Sequence, residues 1–152
     1  MSSGCLVCRE VAGEIELPGG RLWEDEHAVG FHVPPVEEVG NPLANPHPYL
    51  GHLLIVTRRH VARFGDLSEE EGAAIGRAAT RLARVLTVAG GAEWVYSAVI
   101  GRAVAHFHLH LLPRYPGTPE EIAWHAVDEW EGGRHGGAEE IAAVVQRLRA
   151  HL

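Results

Sequence analysis

Between residues 106 and 112 the chain reads His-Phe-His-Leu-His-Leu-Leu, three histidines at alternate positions with apolar residues between them. A β-strand sends successive side chains to opposite faces, so this spacing gathers the three imidazoles on one face and leaves Phe107, Leu109 and Leu111 to pack on a core. Residues two apart on a helix do not face each other, so the pattern is a strand pattern. Neighbouring imidazoles then have Cα atoms roughly 6–7 Å apart, at a rise of about 3.3 Å per residue. Such a row can grip a phosphate chain, or it can bring two imidazoles to one metal.

The rest of the chain limits what that strand can serve. With 152 residues, 46% hydrophobic and 22% charged, it reads as one soluble domain, 1–152, able to bury an ordinary core. No apolar run approaches the roughly 20 residues of a membrane span, so no membrane partner is expected. The opening Met-Ser-Ser-Gly-Cys lacks the regions of a signal peptide, which points to a cytoplasmic location. A net charge of −7 argues against nucleic-acid backbone as a partner but leaves room for a small phosphate ligand. All thirteen basic residues are arginine, so lysine is absent as a nucleophile.

Along the chain, 21–24 and 28–33 read as two strands joined across Asp25-Glu26-His27, with a short mixed segment at 11–17 before them. Five prolines between residues 34 and 51 mark a long loop. Leu53-Leu54-Ile55-Val56 is apolar enough for a central strand. A helix is predicted from Ser68, where Glu71 completes a capping box, through an apolar face of Ile75, Ala78, Ala79, Leu82, Val85 and Leu86 to Gly90-Gly91. Strands at 94–100 and 104–112 follow, joined by a short turn at 100–103, with Pro113 closing the second. Residues 113–137 form an irregular segment, and 138–150 a C-terminal helix burying Ile141, Val144, Val145 and Leu148. The fold class is α+β, a largely antiparallel sheet with one long helix and a closing helix.

The two cysteines form Cys5-Leu6-Val7-Cys8. A disulfide framework does not suit such a chain, and a redox Cys-x-x-Cys usually follows a strand, for which there is no room. Two readings remain: half of a zinc site completed by histidines, or a pair of buried thiols.

Taken together, these residues resemble the histidine triad (HIT) superfamily, in its zinc-containing branch of nucleotide hydrolases and transferases. Residues 106–112 fit the His-φ-His-φ-His-φ-φ signature, where φ is apolar. In the family's order also stand Cys5-x-x-Cys8, Asp25-Glu26-His27, Gly51-His52 running through the apolar strand to Arg59-His60, Asp66-Leu67, and Leu112-Pro113-Arg114. The resemblance covers roughly residues 5–115 apart from the proline loop. It implies a HIT-like α+β meander, commonly a homodimer, attacking the α-phosphate of a nucleotide. By the same resemblance His108 is the nucleophile, and Cys5, Cys8, His60 and His106 hold a zinc. Four protein ligands leave that zinc no open position, so its role is structural.

Near neutral pH an imidazole can present a free nitrogen to phosphorus and form a nucleotidyl-imidazole intermediate. His110 can then donate a hydrogen bond to a non-bridging oxygen. His52 is read as a substrate- or phosphate-binding residue that orients the site, Arg114 as a phosphate or backbone clamp, and Trp124 and Trp130 as either base-stacking or packing residues. A rival arrangement uses His106 and His108 to hold a catalytic metal that activates water.

Three departures from the family bear on substrate. The acid that binds ribose hydroxyls soon after the strand phenylalanine is missing from Phe31-His32-Val33-Pro34, with Glu37 or Glu38 as substitutes. The usual Gly-Gln-Ser-Val before the triad reads Gly101-Arg102-Ala103-Val104, in which Arg102 can fork onto phosphate oxygens. The asparagine-rich turn ahead of it is replaced by Tyr96-Ser97-Ala98-Val99-Ile100. With the ribose acid and the serine gone, a nucleotide-binding or regulatory module with little catalysis is the alternative to an enzyme.

Overall fold

The computed structural model describes residues 4–37, 45–101 and 103–152. Five strands form one antiparallel sheet: β1 (Arg21–Glu24), β2 (Ala28–His32), β3 (Leu53–Thr57), β4 (Trp94–Ala98) and β5 (His108–Arg114). Their spatial order is β1-β2-β3-β5-β4, so β5 lies between β3 and β4. Three helices accompany the sheet: α1 (Leu6–Ala12), α2 (Glu69–Val88) and α3 (Ala138–Arg149). Among the described residues no helix is long and apolar enough to cross a membrane.

Asp25 makes the tight β1–β2 connection, its carboxylate accepting from the backbone N–H groups of His27 and Ala28 at 2.9 Å each. The capping box forms as the sequence indicates: Ser68 Oγ accepts from the Glu71 N–H at 3.2 Å, and Glu71 accepts from the Ser68 N–H at 2.8 Å. Such a cap stabilises a helix by about 1 kcal/mol. Glu71 also holds Arg59 through two bonds of 2.9 and 2.7 Å, which ties α2 to the end of β3.

Alternation along the strands sorts the two faces. Leu53, Ile55 and Leu111 pack with Ala74, Ala78, Leu82 and Leu86 of α2 in the main core, joined by the four predicted apolar residues of α3. Gly30 permits the close approach, because a Cβ there would lie 2.8 Å from Leu82 Cδ1. On the opposite face Val29, Phe31 and Val56 pack with Cys5, Val7, Cys8 and Val11. Across the sheet Val56 pairs with His108 and Leu54 with His110, so both histidines share this second face with α1.

Four local expectations are corrected. The mixed N-terminal segment is preceded by α1, which local patterning does not announce; its apolar side is short and interrupted by Glu10. The strand expected at 104–112 begins at His108, leaving a connection from β4 longer than the expected turn at 100–103. His106 precedes the strand, and Phe107 is turned to donate its N–H to the Val61 carbonyl at 2.6 Å. Nor does Pro113 end β5, which runs on to Arg114, so the irregular segment starts later than residue 113. The Pro113 carbonyl accepts from Tyr49 Oη at 3.0 Å. This side of the residue points away from β4, and its missing N–H removes no bond from the β4–β5 ladder.

Candidate active site and metal centre

Two clusters of side chains meet on the α1 face of the sheet. The first gathers Cys5, Cys8, His60 and His106, whose ligand atoms all lie within 4.8 Å of one another. Cys5 immediately precedes α1 and Cys8 stands three residues on, so one helical turn brings both thiols to one side. His60 follows β3 and His106 precedes β5. His106 Nδ1 lies 3.5 Å from each sulfur, and His60 Nδ1 lies 3.3 Å from Cys8 Sγ.

The donor set fits a tetrahedral ion. Zinc with Zn–S of about 2.3 Å and Zn–N of about 2.0 Å separates its donors by roughly 3.3–3.8 Å. The buried His106 ring is already oriented as a ligand. Its Nε2–H donates to the Thr57 carbonyl at 2.8 Å, which leaves a lone pair on Nδ1 facing the thiols. Four protein donors leave no position for a water. His108 is outside this ligand set and donates Nδ1–H to the His106 carbonyl at 2.6 Å, while His106 has Nδ1 on the thiols and Nε2 on the Thr57 carbonyl, which speaks against the rival arrangement of His106 and His108 on one catalytic metal.

The second cluster is a row of imidazoles. His108 and His110 project from β5 on the same face, ring centroids 5.0 Å apart. With Nδ1 of His108 committed as a donor to backbone, Nε2 carries the lone pair. His110 Nδ1 lies 2.9 Å from Nε2 of His52, so one proton is shared between them. Beyond His52, its Nδ1 faces Asp128 Oδ2 at 3.8 Å, too long for a hydrogen bond. Burial holds His52 down to about 3, helped by the neighbouring imidazoles, and burial with His108 beside it holds His110 down to about 4. Both rings are therefore neutral at pH 7. Burial and the nearby Glu129 push the Asp128 carboxyl upward.

These rings border a cavity of about 330 Å³ whose other walls include Leu6, Val7, Val33, Pro34 and Tyr49. Its rim is fixed by His32, fully buried at the end of β2, whose Nδ1–H donates to the Val33 carbonyl and whose Nε2 accepts from the Gly51 N–H at 2.9 Å. Gly51 has φ +94°, a conformation that suits glycine, and Tyr115 Oη occupies the space a Cβ would need. Glu10 of α1 also borders the cavity with only 3% of its surface exposed, and desolvation raises its carboxyl to about 7.

The sequence-predicted residues divide accordingly. Cys5, Cys8, His60 and His106 come together, and so do His52, His108 and His110. Arg102 and Glu38 lie outside the described residues. Arg114, expected at phosphate, donates instead to the carbonyls of Ile122 and Pro119 at 2.9 and 2.6 Å and makes no part of the cavity wall. It stands at the far end of β5 from His108, and its guanidinium is taken up by the 118–122 loop, so the arginine acts as the backbone clamp of that pair of readings. Trp124 packs near Tyr96 and His125, and neither it nor Trp130 borders the cavity; nor does Glu37.

Glu10 and Asp128 escape sequence reasoning. Glu10 stands on α1, a helix that local patterning does not announce, so its buried position carried no signal. For Asp128 there was none either, because its place depends on how fully buried Val127 packs with Tyr49 and Tyr115.

Comparison with known proteins agrees with this architecture. The HIT domain family model matches residues 45–117. A HIT-like protein of Methanocaldococcus jannaschii is 30% identical over 122 residues, covering 78% of this chain and 84% of the relative. The crystal structure of a Zn-bound histidine triad family protein from Mycobacterium smegmatis superposes with a TM-score of 0.70 at 23% identity, over 99% of this chain and 96% of that one. A hypothetical histidine triad nucleotide-binding protein from Sulfolobus tokodaii gives 0.70 at 18% identity, over 96% and 90%. From the extent of the sequence match to the Methanocaldococcus relative, together with the shared fold and the histidine motif, the chain belongs to the histidine triad (HIT) family.

Proposed function

We propose that this protein is a nucleotide hydrolase or nucleotidyl transferase acting on phosphoanhydride or phosphoramidate bonds through a covalent intermediate on His108. The observation that carries this reading is the 2.6 Å bond from His108 Nδ1–H to the His106 carbonyl, which directs the unprotonated Nε2 away from backbone. Nε2 attacks the α-phosphorus, forming a P–N bond as the bond to the leaving group breaks, and the leaving group departs with a proton from solvent. Water, or another acceptor, then attacks the same phosphorus, losing a proton as the P–N bond breaks and neutral His108 returns.

His110 serves the charge that grows on the phosphoryl oxygens. With the shared proton on His52 Nε2, His110 accepts at Nδ1 and carries its own proton on Nε2, from which it donates to a non-bridging oxygen. Because burial keeps both rings neutral, this donor persists across the neutral pH range. Zinc held by Cys5, Cys8, His60 and His106 would supply a structural crosslink between α1, the end of β3 and the start of β5. Arg102 remains our candidate for a further phosphate contact, and a cytoplasmic location goes with a nucleotide substrate. The homodimer expected of the family has a free edge available in β4, where Trp94 is 64% exposed.

Mass spectrometry after incubation with a nucleoside phosphoramidate or dinucleoside polyphosphate tests the reading. We expect a nucleotidyl adduct on His108 and turnover that disappears in His108→Asn. Tight nucleotide binding without adduct or turnover, unaffected by that substitution, would instead identify a binding module.

A further inference from the structure

Glu10 is the most unusual side chain on the walls of the cavity. Its neighbours on the inner side of α1, Val7 and Val11, are apolar and pack on Val29, Phe31 and Val56. Leu6, Val7, Val33 and Pro34, which border the same cavity, offer no side-chain donor. Among the described residues no hydrogen bond or ion pair reaches the Glu10 carboxylate, although only 3% of the residue is exposed. A buried acid without partners costs stability, and an apolar residue would serve packing better. Its place on a cavity wall supplies what the interior lacks, a ligand.

The sign of the charge says which part of a ligand. In its ionised form the carboxylate repels phosphate, so it is of no use to the group that His108 and His110 receive. Glu10 and the two histidines reach that cavity from different elements: Glu10 from α1, which packs over β2 and β3, and the histidines from β5.

Resting on the nucleotide reading above, we propose that Glu10 is a specificity-determining residue whose carboxylate accepts hydrogen bonds from O–H or N–H donors on the nucleoside part of the substrate. The shared chemistry is a donor group close to an apolar wall. A ribose diol and the exocyclic amine of a base are its two sources. A charge-assisted hydrogen bond in a desolvated site changes affinity by roughly tenfold or more.

Calorimetric binding to the zinc-loaded protein separates the outcomes, using the four common nucleoside 5′-monophosphates, their 2′,3′-dideoxy forms, and purine forms lacking the exocyclic amine. Wild type should lose about tenfold or more in affinity when the recognised donor is removed. Loss with the dideoxy series identifies the ribose, and loss with the deaminated series identifies the base. Glu10→Leu should bind the parent nucleotides as weakly as wild type binds the deficient analogues and should no longer tell them apart. Glu10→Gln, which keeps one acceptor, should retain part of the discrimination. Without ligand, Glu10→Leu should melt higher than wild type at unchanged zinc content, because no internal partner is lost.

Equal binding of all analogues by wild type would overturn the assignment. So would unchanged discrimination in Glu10→Leu, or a lower melting temperature for that variant. Absence of any nucleotide binding by folded wild type would overturn the nucleotide reading and this assignment with it. Nucleotide binding with unaltered preference in Glu10→Leu would overturn the role of Glu10 alone.

Discussion

His106 and His108 stand two residues apart and carry the same side chain, yet the fold gives them opposite surroundings. His106 is fully buried, with Nε2–H on the Thr57 carbonyl and Nδ1 on two thiols. The His108 ring is turned the other way around, with Nδ1–H on backbone, and it borders the cavity. A backbone carbonyl sets the tautomer in both cases. The nitrogen it captures decides whether the ring offers its lone pair to a closed cluster or to a substrate. A histidine's place in a motif does not define its role; the acceptor that captures its proton does.

Opposite surroundings should give opposite mutant phenotypes. His108→Asn should lower turnover by at least about 10³-fold, the scale associated with losing a covalent nucleophile, while the melting temperature stays within a few degrees of wild type. Normal turnover in that variant would remove His108 from the chemistry. Cys8→Ala should do the reverse. Loss of a structural metal ligand should cost about 3 kcal/mol or more, lowering the melting temperature by roughly 6–12 °C, and chelation of wild type should do the same. Protein that remains folded at low temperature should retain most of its turnover. Full stability after chelation would show that the four ligands do not anchor the fold.

Acid tests a third histidine whose proton is fixed by backbone. His32 is held down to about 4 by burial, below the ordinary value of about 6.5. Its neutral form is favoured by folding, so its contribution is complete above about pH 6.5 and is lost as pH falls toward 4. Between about pH 6.5 and 5 the unfolded chain binds a proton that the folded chain does not, which amounts to at most about 2 kcal/mol for this ring. Urea melts at the two pH values should show this loss in wild type and a smaller loss in His32→Gln. An equal loss in both would remove His32 as a source. The smallest effect is expected at His52, whose Nε2 lies against Nδ1 of His110. His52→Leu should reduce kcat by about tenfold with little change in KM, since only the orientation and proton position of His110 are disturbed. A loss as large as that of His108→Asn would make His52 part of the chemical step itself.

Much of the scaffold could be read from residue order. The α2 cap, the apolar stripe of α3 and the β1–β2 hairpin follow from local rules: side-chain capping, helical periodicity and an Asp-led turn. The Cys5, Cys8, His60 and His106 set was legible through family resemblance, since His60 and His106 lie far apart in the chain and no spacing rule spans them. Helix α1 was hidden because it has only seven residues and carries Glu10 on its buried side. That Arg114 is taken up by loop carbonyls rather than standing on the cavity wall was not legible, because alternation says which face a strand residue takes, and not which loop will cross that face. Val127 and Asp128 were invisible to periodicity, standing in a segment held by packing on two tyrosines.

Residue order alone dictates that alternate positions of the histidine segment divide between a packed face and a polar one, because strand geometry has a period of two. It dictates equally the capped helix that covers the packed face. Long-range packing supplies the rest: His106 leaves the strand, Thr57 and the His106 carbonyl fix opposite tautomers, and an acid from α1 stands buried beside the cavity. Those outcomes depend on which backbone carbonyls and apolar walls arrive from distant parts of the chain. Hydrogen bonding and desolvation act through space, and the linear pattern records neither.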